Sequence, residues 1–134
     1  LMSEQTKAVL MFVNGQAMSG GSINFALQEA KFLGAAKTAA KYRFYSVRDE
    51  FPGLWPVEQG GQSIPGELYE VSYAQLRESL LPNEPSELEL GVIEMEDGSG
   101  SLSMKMRAEE ITGTGVVDIS DEGGWHKYLA AKKA

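Results

Sequence analysis

The fold is decided by the stretch Val9-Leu10-Met11-Phe12-Val13-Asn14-Gly15-Gln16-Ala17-Met18-Ser19-Gly20-Gly21. Its first five residues are apolar and lead directly into a polar turn with glycine, which is typical of a buried strand followed by a loop. A loop at the end of a strand lies near the core and is open to solvent, so it can hold a small polar ligand. The segment from Asn14 to Ser22 is therefore either a backbone nest whose N–H groups bind a carboxylate or carbonyl oxygen, or a plain connection to the next element.

The length of 134 residues corresponds to one domain. We expect this domain to span residues 1–134, with a disordered N terminus over residues 1–7 and a C-terminal tail and helix over residues 107–134. No stretch of the sequence has the roughly 18 apolar residues needed to cross a bilayer. Residues 1–7 also lack the apolar core of a signal peptide. We therefore expect a cytoplasmic protein.

The charge and the residue types exclude several classes of function. Twelve basic and 19 acidic side chains give a formal net charge of −7. Such a chain repels phosphate groups, so we expect neither nucleic acid nor an anionic membrane as a partner. Cysteine is absent, which excludes disulfides, thiolate catalysis and cysteine-based metal sites. The single histidine, His126, makes neither a triad nor a metal site by itself, and we expect no metal and no cofactor.

The pattern of apolar and turn residues predicts a mixture of strands and helices. The predicted strands cover residues 8–13, 36–47, 67–71, 88–95 and 102–106, with an Asp-Gly hairpin turn before the last. The predicted helices run from Ser22 to Gly34, over residues 74–81 and over residues 124–132, while residues 49–57 and 111–120 are predicted to be turns and loops. Because strands and helices do not alternate regularly, the pattern favours an α+β fold with a curved or barrel-like sheet over a doubly wound parallel sheet.

Three short motifs follow one another along the chain: Val13-Asn14-Gly15, Phe51-Pro52-Gly53 and Ile64-Pro65-Gly66-Glu67-Leu68-Tyr69-Glu70-Val71. Their order resembles that of the γ-glutamylcyclotransferase-like superfamily. Within that superfamily the sequence looks most like the C-terminal domain of allophanate hydrolase, through Tyr42-Arg43-Phe44-Tyr45, Pro52-Gly53-Leu54, the hairpin from Gly91 to Gly98, and Gly123-Gly124-Trp125 with Tyr128-Leu129. The resemblance covers about residues 9–130 and implies a mixed, barrel-like sheet with short flanking helices.

The resemblance also implies an acid/base carboxylate in the loop after the second predicted helix. In the cyclotransferases a glutamate follows a Leu-Asp-x-x-Glu pattern, and Glu84 stands at that position, although Leu81 replaces the aspartate. Such a glutamate takes a proton from an attacking amine and returns it to a departing nitrogen. The allophanate hydrolase domain has a Pro-x-Pro-Leu run here, which would place Glu87 in this region instead. Glu84 and Glu87 are both candidate catalytic residues, or both are solvated loop charges.

The candidate substrate-binding residues lie in the first loop and in two strands. They are Asn14, Gly15, Gln16, Ala17 and Met18 of the loop, with Tyr69 and Arg43 of the strands. Tyr69 is singled out by its place in the Gly-Glu-x-Tyr run. Arg43 can pair with a substrate carboxylate, or with Glu67 or Glu70 across the sheet.

Three functions follow from the resemblance. The first is a domain that binds or converts a small carboxylate or amide, in nitrogen metabolism of the urea and allophanate type, where the related domain is associated with processing N-carboxycarbamate. The second is a γ-glutamyl cyclotransferase that releases 5-oxoproline, and the third is a non-catalytic interaction domain. The expected partners are the small carboxylate or amide itself, an amidase or hydrolase protein, and a second copy of the chain in a homodimer.

Overall fold

The computed structural model describes residues 7–133, and most of its regular structure is one mixed sheet. Its strands are β1 (Ala8–Val13), β2 (Lys31–Lys37), β3 (Tyr42–Val47), β4 (Phe51–Pro56), β5 (Pro65–Ser72), β6 (Leu88–Glu94), β7 (Gly100–Met106) and β8 (Val116–Asp118). The α-helices are α1 (Tyr73–Gln75) and α2 (Trp125–Lys133). Short turns of 3₁₀-helix cover Asn24–Leu27, Leu81–Asn83 and Ala108–Glu110, and a π-helix covers Leu76–Leu80.

The sheet curves into a half-barrel with the strand order β2-β5-β1-β7-β4-β3-β8, and β6 pairs with β7 in addition. All neighbours are antiparallel except that β1 and β4 both run parallel to β7. β6 covers one edge of β7 along its length, so β1 and β4 share the other edge. β1 pairs with the first part of this edge of β7 and β4 with the part that follows. Between them the chain that follows β1 leaves the sheet. The topology therefore creates a gap beside the loop that follows β1.

Within residues 7–133, one apolar core joins the sheet to the helical segments. Phe12, Phe44 and Leu54 of the sheet and Trp125 of α2 are fully buried, and they belong to one contact cluster with the π-helix residue Leu80. Each buried side chain of this size stabilises the fold by about 2 kcal/mol through removal of apolar surface from water. The core thus fixes α2 and the π-helix against the strands that surround the gap.

Several predicted elements are confirmed. Strand 8–13, the strand over 67–71, the hairpin after residue 95 and the C-terminal helix are all present. Residues 74–81 are helical, although most of the segment is π-helix. The α+β class is confirmed as well. The disorder expected for residues 1–7 concerns positions outside the described residues, apart from Lys7, and the single domain over residues 1–134 stays a prediction.

The helix predicted from Ser22 to Gly34 is wrong. Only Asn24–Leu27 is helical, and the chain then enters β2, which pairs with β5. Gly34 does not end a helix: it has a φ of 115° at an irregularity in the register of β2, a conformation that glycine adopts without strain. Pairing with β5 therefore overrides the local helical spacing of the apolar residues.

The strand boundaries near β3 and β8 are also wrong. The long strand predicted over residues 36–47 is two strands, β2 and β3. The turn predicted over residues 49–57 contains β4, although Pro52 and Pro56 lie in it. The loop predicted over residues 111–120 contains β8. Proline is tolerated in β4 because this strand pairs with β7 at a single position, Leu54 opposite Lys105.

No helix within residues 7–133 has the length and apolar character required to cross a membrane.

Candidate functional site

A pocket of about 350 Å³ lies at the gap between β1 and β4. One wall is the end of β1 with the loop that follows it, and a second is the turn between β3 and β4 with the start of β4. A third wall is the segment after the π-helix, while β7 contributes Ser103 and Met104. The lining residues are 12–17, 22–23, 48, 50–52, 83–88 and 103–104.

The loop wall is shaped by tight turns and by one glycine. The N–H of Met18 donates to the carbonyl of Gly15 at 3.0 Å, and the N–H of Gly21 donates to the carbonyl of Met18 at 2.8 Å. A Cβ atom at Gly15 would overlap the ring of Pro52 at the start of β4. Because this glycine has no side chain, the two walls of the pocket can approach each other closely.

Asn14 lines the pocket and carries a buried amide donor that makes no hydrogen bond with a described residue. It is 6% exposed, and its Nδ2 atom has no hydrogen-bond partner among the described residues. A buried donor without a partner costs about 1–3 kcal/mol.

Glu84 contributes a carboxyl group whose pKa is higher than usual. Its side chain is half-buried in the pocket wall and makes no hydrogen bond or ion pair with another residue in the described range 7–133. Burial raises the pKa of Glu84 from 4.5 to about 7, since the charged form is poorly solvated there. Near neutral pH the carboxyl is therefore present in both its acidic and its basic form, as proton transfer requires.

Glu87 lies in the same wall but has the opposite character. Its Oε2 atom accepts a hydrogen bond from Nη2 of Arg48 at 2.8 Å, and this hydrogen bond lowers the pKa of Glu87. Arg48 also donates from Nε to Glu50 at 3.2 Å. The ionised Glu87 is thus part of a charge cluster with Arg48 and Glu50, whereas Glu84 has no such partner and a raised pKa.

Two of the predicted binding residues shape the loop without lining the pocket. Met18 is buried in the core beneath the loop. The hydroxyl of Tyr69 donates to Oε1 of Glu67 at 3.2 Å and accepts from Nδ2 of Asn24 at 3.2 Å. The same oxygen of Glu67 accepts a hydrogen bond from the backbone N–H of Ser19 at 2.8 Å. The Gly-Glu-x-Tyr strand therefore anchors the loop from behind.

Arg43 also lies away from the pocket. Its guanidinium donates to both carboxylate oxygens of Asp118 at 3.0 and 3.1 Å and to the carbonyl of Gly60 at 2.7 Å. The pairing with Glu67 or Glu70 considered from the sequence is thus replaced by pairing with Asp118 of β8. This bidentate contact joins β3 to β8.

The residues brought together at the pocket are Asn14, Gly15, Gln16, Ala17, Glu84 and Glu87. Sequence reasoning missed Arg48 and the start of β4, because the segment around Pro52 was interpreted as a turn. The charged pair Arg48-Asp49 before Phe51-Pro52 was the available signal. In the part of the chain that the structure describes, no group of three or more His, Asp or Glu side chains is arranged to hold a metal ion.

Comparison with known proteins gives a consistent picture. Residues 9–130 match the family model described as the allophanate hydrolase C-terminal domain. The urea amidolyase of Lachancea kluyveri is 30% identical over 129 residues, which are 91% of this chain and 7% of that protein. The chain thus spans only a small part of the length of this curated relative.

Solved structures share the fold. A uropathogenic E. coli-specific protein has a TM-score of 0.86 and 31% identity, covering 93% of this chain and 98% of that one. Allophanate hydrolase from Kluyveromyces lactis has a TM-score of 0.87 and 27% identity, covering 98% of this chain and 22% of that one. A γ-glutamyl cyclotransferase has a TM-score of 0.54 and 14% identity, covering 84% of this chain and 70% of that one. At that identity the likeness concerns the fold alone, and it confirms the predicted cyclotransferase-like architecture.

Proposed function

This chain belongs to the family of the allophanate hydrolase C-terminal domain, and we propose that its pocket binds a small carboxylated amide or urea-type compound and moves one proton at the nitrogen of that compound. The observation that carries the proposal is the presence, in one pocket, of an unpaired buried amide donor on Asn14 and a half-buried carboxyl group on Glu84.

The loop wall supplies hydrogen-bond donors for an oxygen of the ligand. The Nδ2 atom of Asn14 has no other partner in residues 7–133. Among the same residues, the backbone N–H groups of Gly15, Gln16 and Ala17 donate no hydrogen bond, so they remain available as the nest predicted from the sequence. A carboxylate or carbonyl oxygen matches this set of donors.

Glu84 supplies the proton. In a compound R–NH–COO⁻, cleavage of the bond between nitrogen and the carboxylate carbon leaves the electron pair on nitrogen and releases CO₂. The protonated carboxyl of Glu84 donates its proton to that nitrogen, giving R–NH₂, and is protonated again from solvent. A pKa of about 7 suits this step because the group is a donor before it and an acceptor after it.

The charges at the pocket favour a ligand with one negative charge over one with two. Arg48 is the one cationic residue among the described lining residues, and it is paired with Glu87 and Glu50. Ionisation of Glu84 adds a further negative charge as the pH rises. We therefore expect a carboxylate to bind more weakly at pH 8 than at pH 6.

Isothermal titration calorimetry with stable analogues tests this proposal. Malonamate carries one carboxylate and one amide, malonate carries two carboxylates, and acetamide carries none. We expect malonamate to bind the wild type more tightly than malonate or acetamide, and to lose affinity between pH 6 and pH 8. In Glu84→Gln this loss with pH should disappear, whereas Glu58→Gln, a change at an exposed residue outside the pocket, should behave as wild type. No heat of binding for either carboxylate at 10 mM would refute the proposal.

A γ-glutamyl cyclotransferase is the second candidate, because the same free carboxyl of Glu84 has the required acidity. In that reaction Glu84 takes a proton from the α-amine as it attacks the γ-carbonyl, and returns it to the departing nitrogen. Incubation with a panel of γ-glutamyl amides at high protein concentration should then release 5-oxoproline in the wild type and not in Glu84→Gln. No release in the wild type would exclude this activity.

A non-catalytic interaction domain is the third candidate. It predicts that Glu84→Gln and Glu87→Gln leave partner binding unchanged and that no turnover is found. The related sequences lie within longer proteins named urea amidolyase and allophanate hydrolase, which supports an amidase or hydrolase as the partner to try first. Light scattering on the purified chain tests the homodimer, and fractionation of cells tests the cytoplasmic location.

A further inference from the structure

The turn between β3 and β4 holds two residues in an unfavourable backbone conformation. Arg48 has a φ of 54° and Asp49 a φ of 58°, which is the left-handed region that residues with a Cβ atom rarely adopt. A residue in this conformation is strained and persists only where its surroundings hold it. Because Arg48 lines the pocket, we expect a change in the contacts that hold this turn to move its guanidinium.

Asp49 is held from α2. Its Oδ1 atom accepts hydrogen bonds from the hydroxyl of Tyr128 at 2.6 Å and from Oγ of Ser46 at 2.8 Å. Nζ of Lys132 lies 3.3 Å from its Oδ2 atom. The hydrogen bond from Tyr128 lowers the pKa of Asp49, so the carboxylate stays ionised at neutral pH. Two of these three partners, Tyr128 and Lys132, belong to α2.

The same helix holds the opposite wall of the pocket. Nε1 of Trp125 donates a hydrogen bond to Oε1 of Gln16 at 2.8 Å, and the indole is fully buried. The rings of Trp125 and Tyr128 are neighbours, with their centroids 5.9 Å apart. These two neighbouring residues of α2 thus contact the loop after β1 through Gln16 and the turn before β4 through Asp49.

We propose that α2 is a clamp that sets the width and polarity of the pocket, with Trp125 and Tyr128 as positioning residues. Tyr128 acts through Asp49 to hold Arg48 against Glu87, and Trp125 holds Gln16 on the facing wall. Neither aromatic residue lines the pocket, so each acts on a ligand through another side chain. This inference deepens the proposed binding function and rests on it for its effect on ligands.

Titration of Glu87 by carbon-13 NMR tests the clamp without any ligand. Arg48 lowers the pKa of Glu87 in the wild type. In Tyr128→Phe we expect the pKa of Glu87 to rise toward 4.5, because Arg48 is no longer held beside it. Tyr45→Phe is the matched control, since the hydroxyl of Tyr45 makes no hydrogen bond with a described residue, and it should leave the titration unchanged. An unchanged pKa of Glu87 in Tyr128→Phe would overturn the proposal.

Affinity for malonamate provides the second readout. We expect Tyr128→Phe to weaken binding about tenfold, because small displacements of positioning groups have effects of this size. In an Arg48→Gln background the same change should have no further effect, since its intermediary is gone. Equal losses in both backgrounds would mean that Tyr128 does not act through Arg48, and the proposal would fail.

The two readouts separate this proposal from the binding function. If the wild type binds no malonamate, the binding function fails while the titration of Glu87 still decides whether the clamp exists. If Tyr128→Phe does not fold, Lys132→Met replaces it. This substitution removes one contact to Asp49, and it changes a side chain that is about half-exposed. This variant should shift the titration of Glu87 in the same direction, and no shift would count against the clamp.

Discussion

Replacing Glu84 with glutamine should stabilise the protein, and the gain should grow as the pH rises. Burial raises the pKa of Glu84 from 4.5 to about 7, so the folded state binds the proton more tightly than the unfolded state does. The stability this provides is complete below the unfolded pKa and is lost as the pH rises through the folded pKa. One pKa unit corresponds to about 1.4 kcal/mol, so wild type loses about 3 kcal/mol by pH 8. Glutamine is neutral throughout and avoids that loss.

Urea denaturation of the wild type and Glu84→Gln at pH 5 and pH 8 measures this effect. We expect the free energy of unfolding of the variant to exceed that of wild type by about 1 kcal/mol at pH 5 and about 3 kcal/mol at pH 8. Other carboxyl groups titrate equally in both proteins and cancel in the difference. Glu58→Gln, at an exposed position, should match wild type at both pH values. A difference that does not change with pH would show that burial does not raise the pKa of Glu84.

Three further substitutions examine the walls of the pocket and its surroundings. Gly15→Ala should lower the free energy of unfolding, measured in urea, by about 1–3 kcal/mol, since the added Cβ overlaps Pro52. Gly100→Ala, whose Cβ would find its nearest neighbours at 3.9 Å, should lower this free energy by less, and equal decreases would contradict the close approach of Gly15 to Pro52. Asn14→Leu should raise the free energy of unfolding by about 1 kcal/mol, because it removes an unpaired donor. It should also abolish the heat of malonamate binding, and retained binding would exclude this amide as a ligand contact. Arg43→Gln should lower the thermal midpoint of unfolding and leave the malonamate affinity unchanged, because the guanidinium of Arg43 is paired outside the pocket. A large loss of affinity would instead place Arg43 in the binding site.

The sequence was most informative where local pattern and tertiary pairing agree. The apolar run of β1 predicts a buried strand, and β5 and β7 cover that strand on both edges. The Asp-Gly turn after residue 95 likewise predicts the hairpin of β6 and β7. In both places the periodicity of the side chains matches the surroundings that the sheet provides.

Local pattern failed where long-range pairing decided the structure. Helical spacing of apolar residues continues into Lys31–Lys37, yet this segment pairs with β5, whose partner residues lie 28 to 39 positions further along the chain. The prolines of β4 argue against a strand, but antiparallel pairing with β3 along its whole length places it in the sheet. Propensity cannot anticipate such tertiary overrides.

The sequence predicted which two segments would lie together, and the charges around them depend on residues elsewhere in the chain. The loop after β1 and the segment with Glu84 and Glu87 do meet at one pocket. Which glutamate is free depends on Arg48, which reaches Glu87 from another part of the chain. Likewise, no pattern near Asp49 reveals that Tyr128 holds it, because 79 positions separate the two residues.

The most direct measurement is a ¹H–¹⁵N NMR titration of the wild type with malonamate at pH 6. If the pocket is a site for carboxylated amides, the shifts will be concentrated at the side-chain amide of Asn14, the backbone amides of residues 15–17 and those of residues 83–87. The side-chain amide of Asn14 should show the largest change, because it gains its first hydrogen-bond acceptor. Shifts confined to other parts of the sheet, or no shifts at 10 mM malonamate, would contradict a binding site at this pocket.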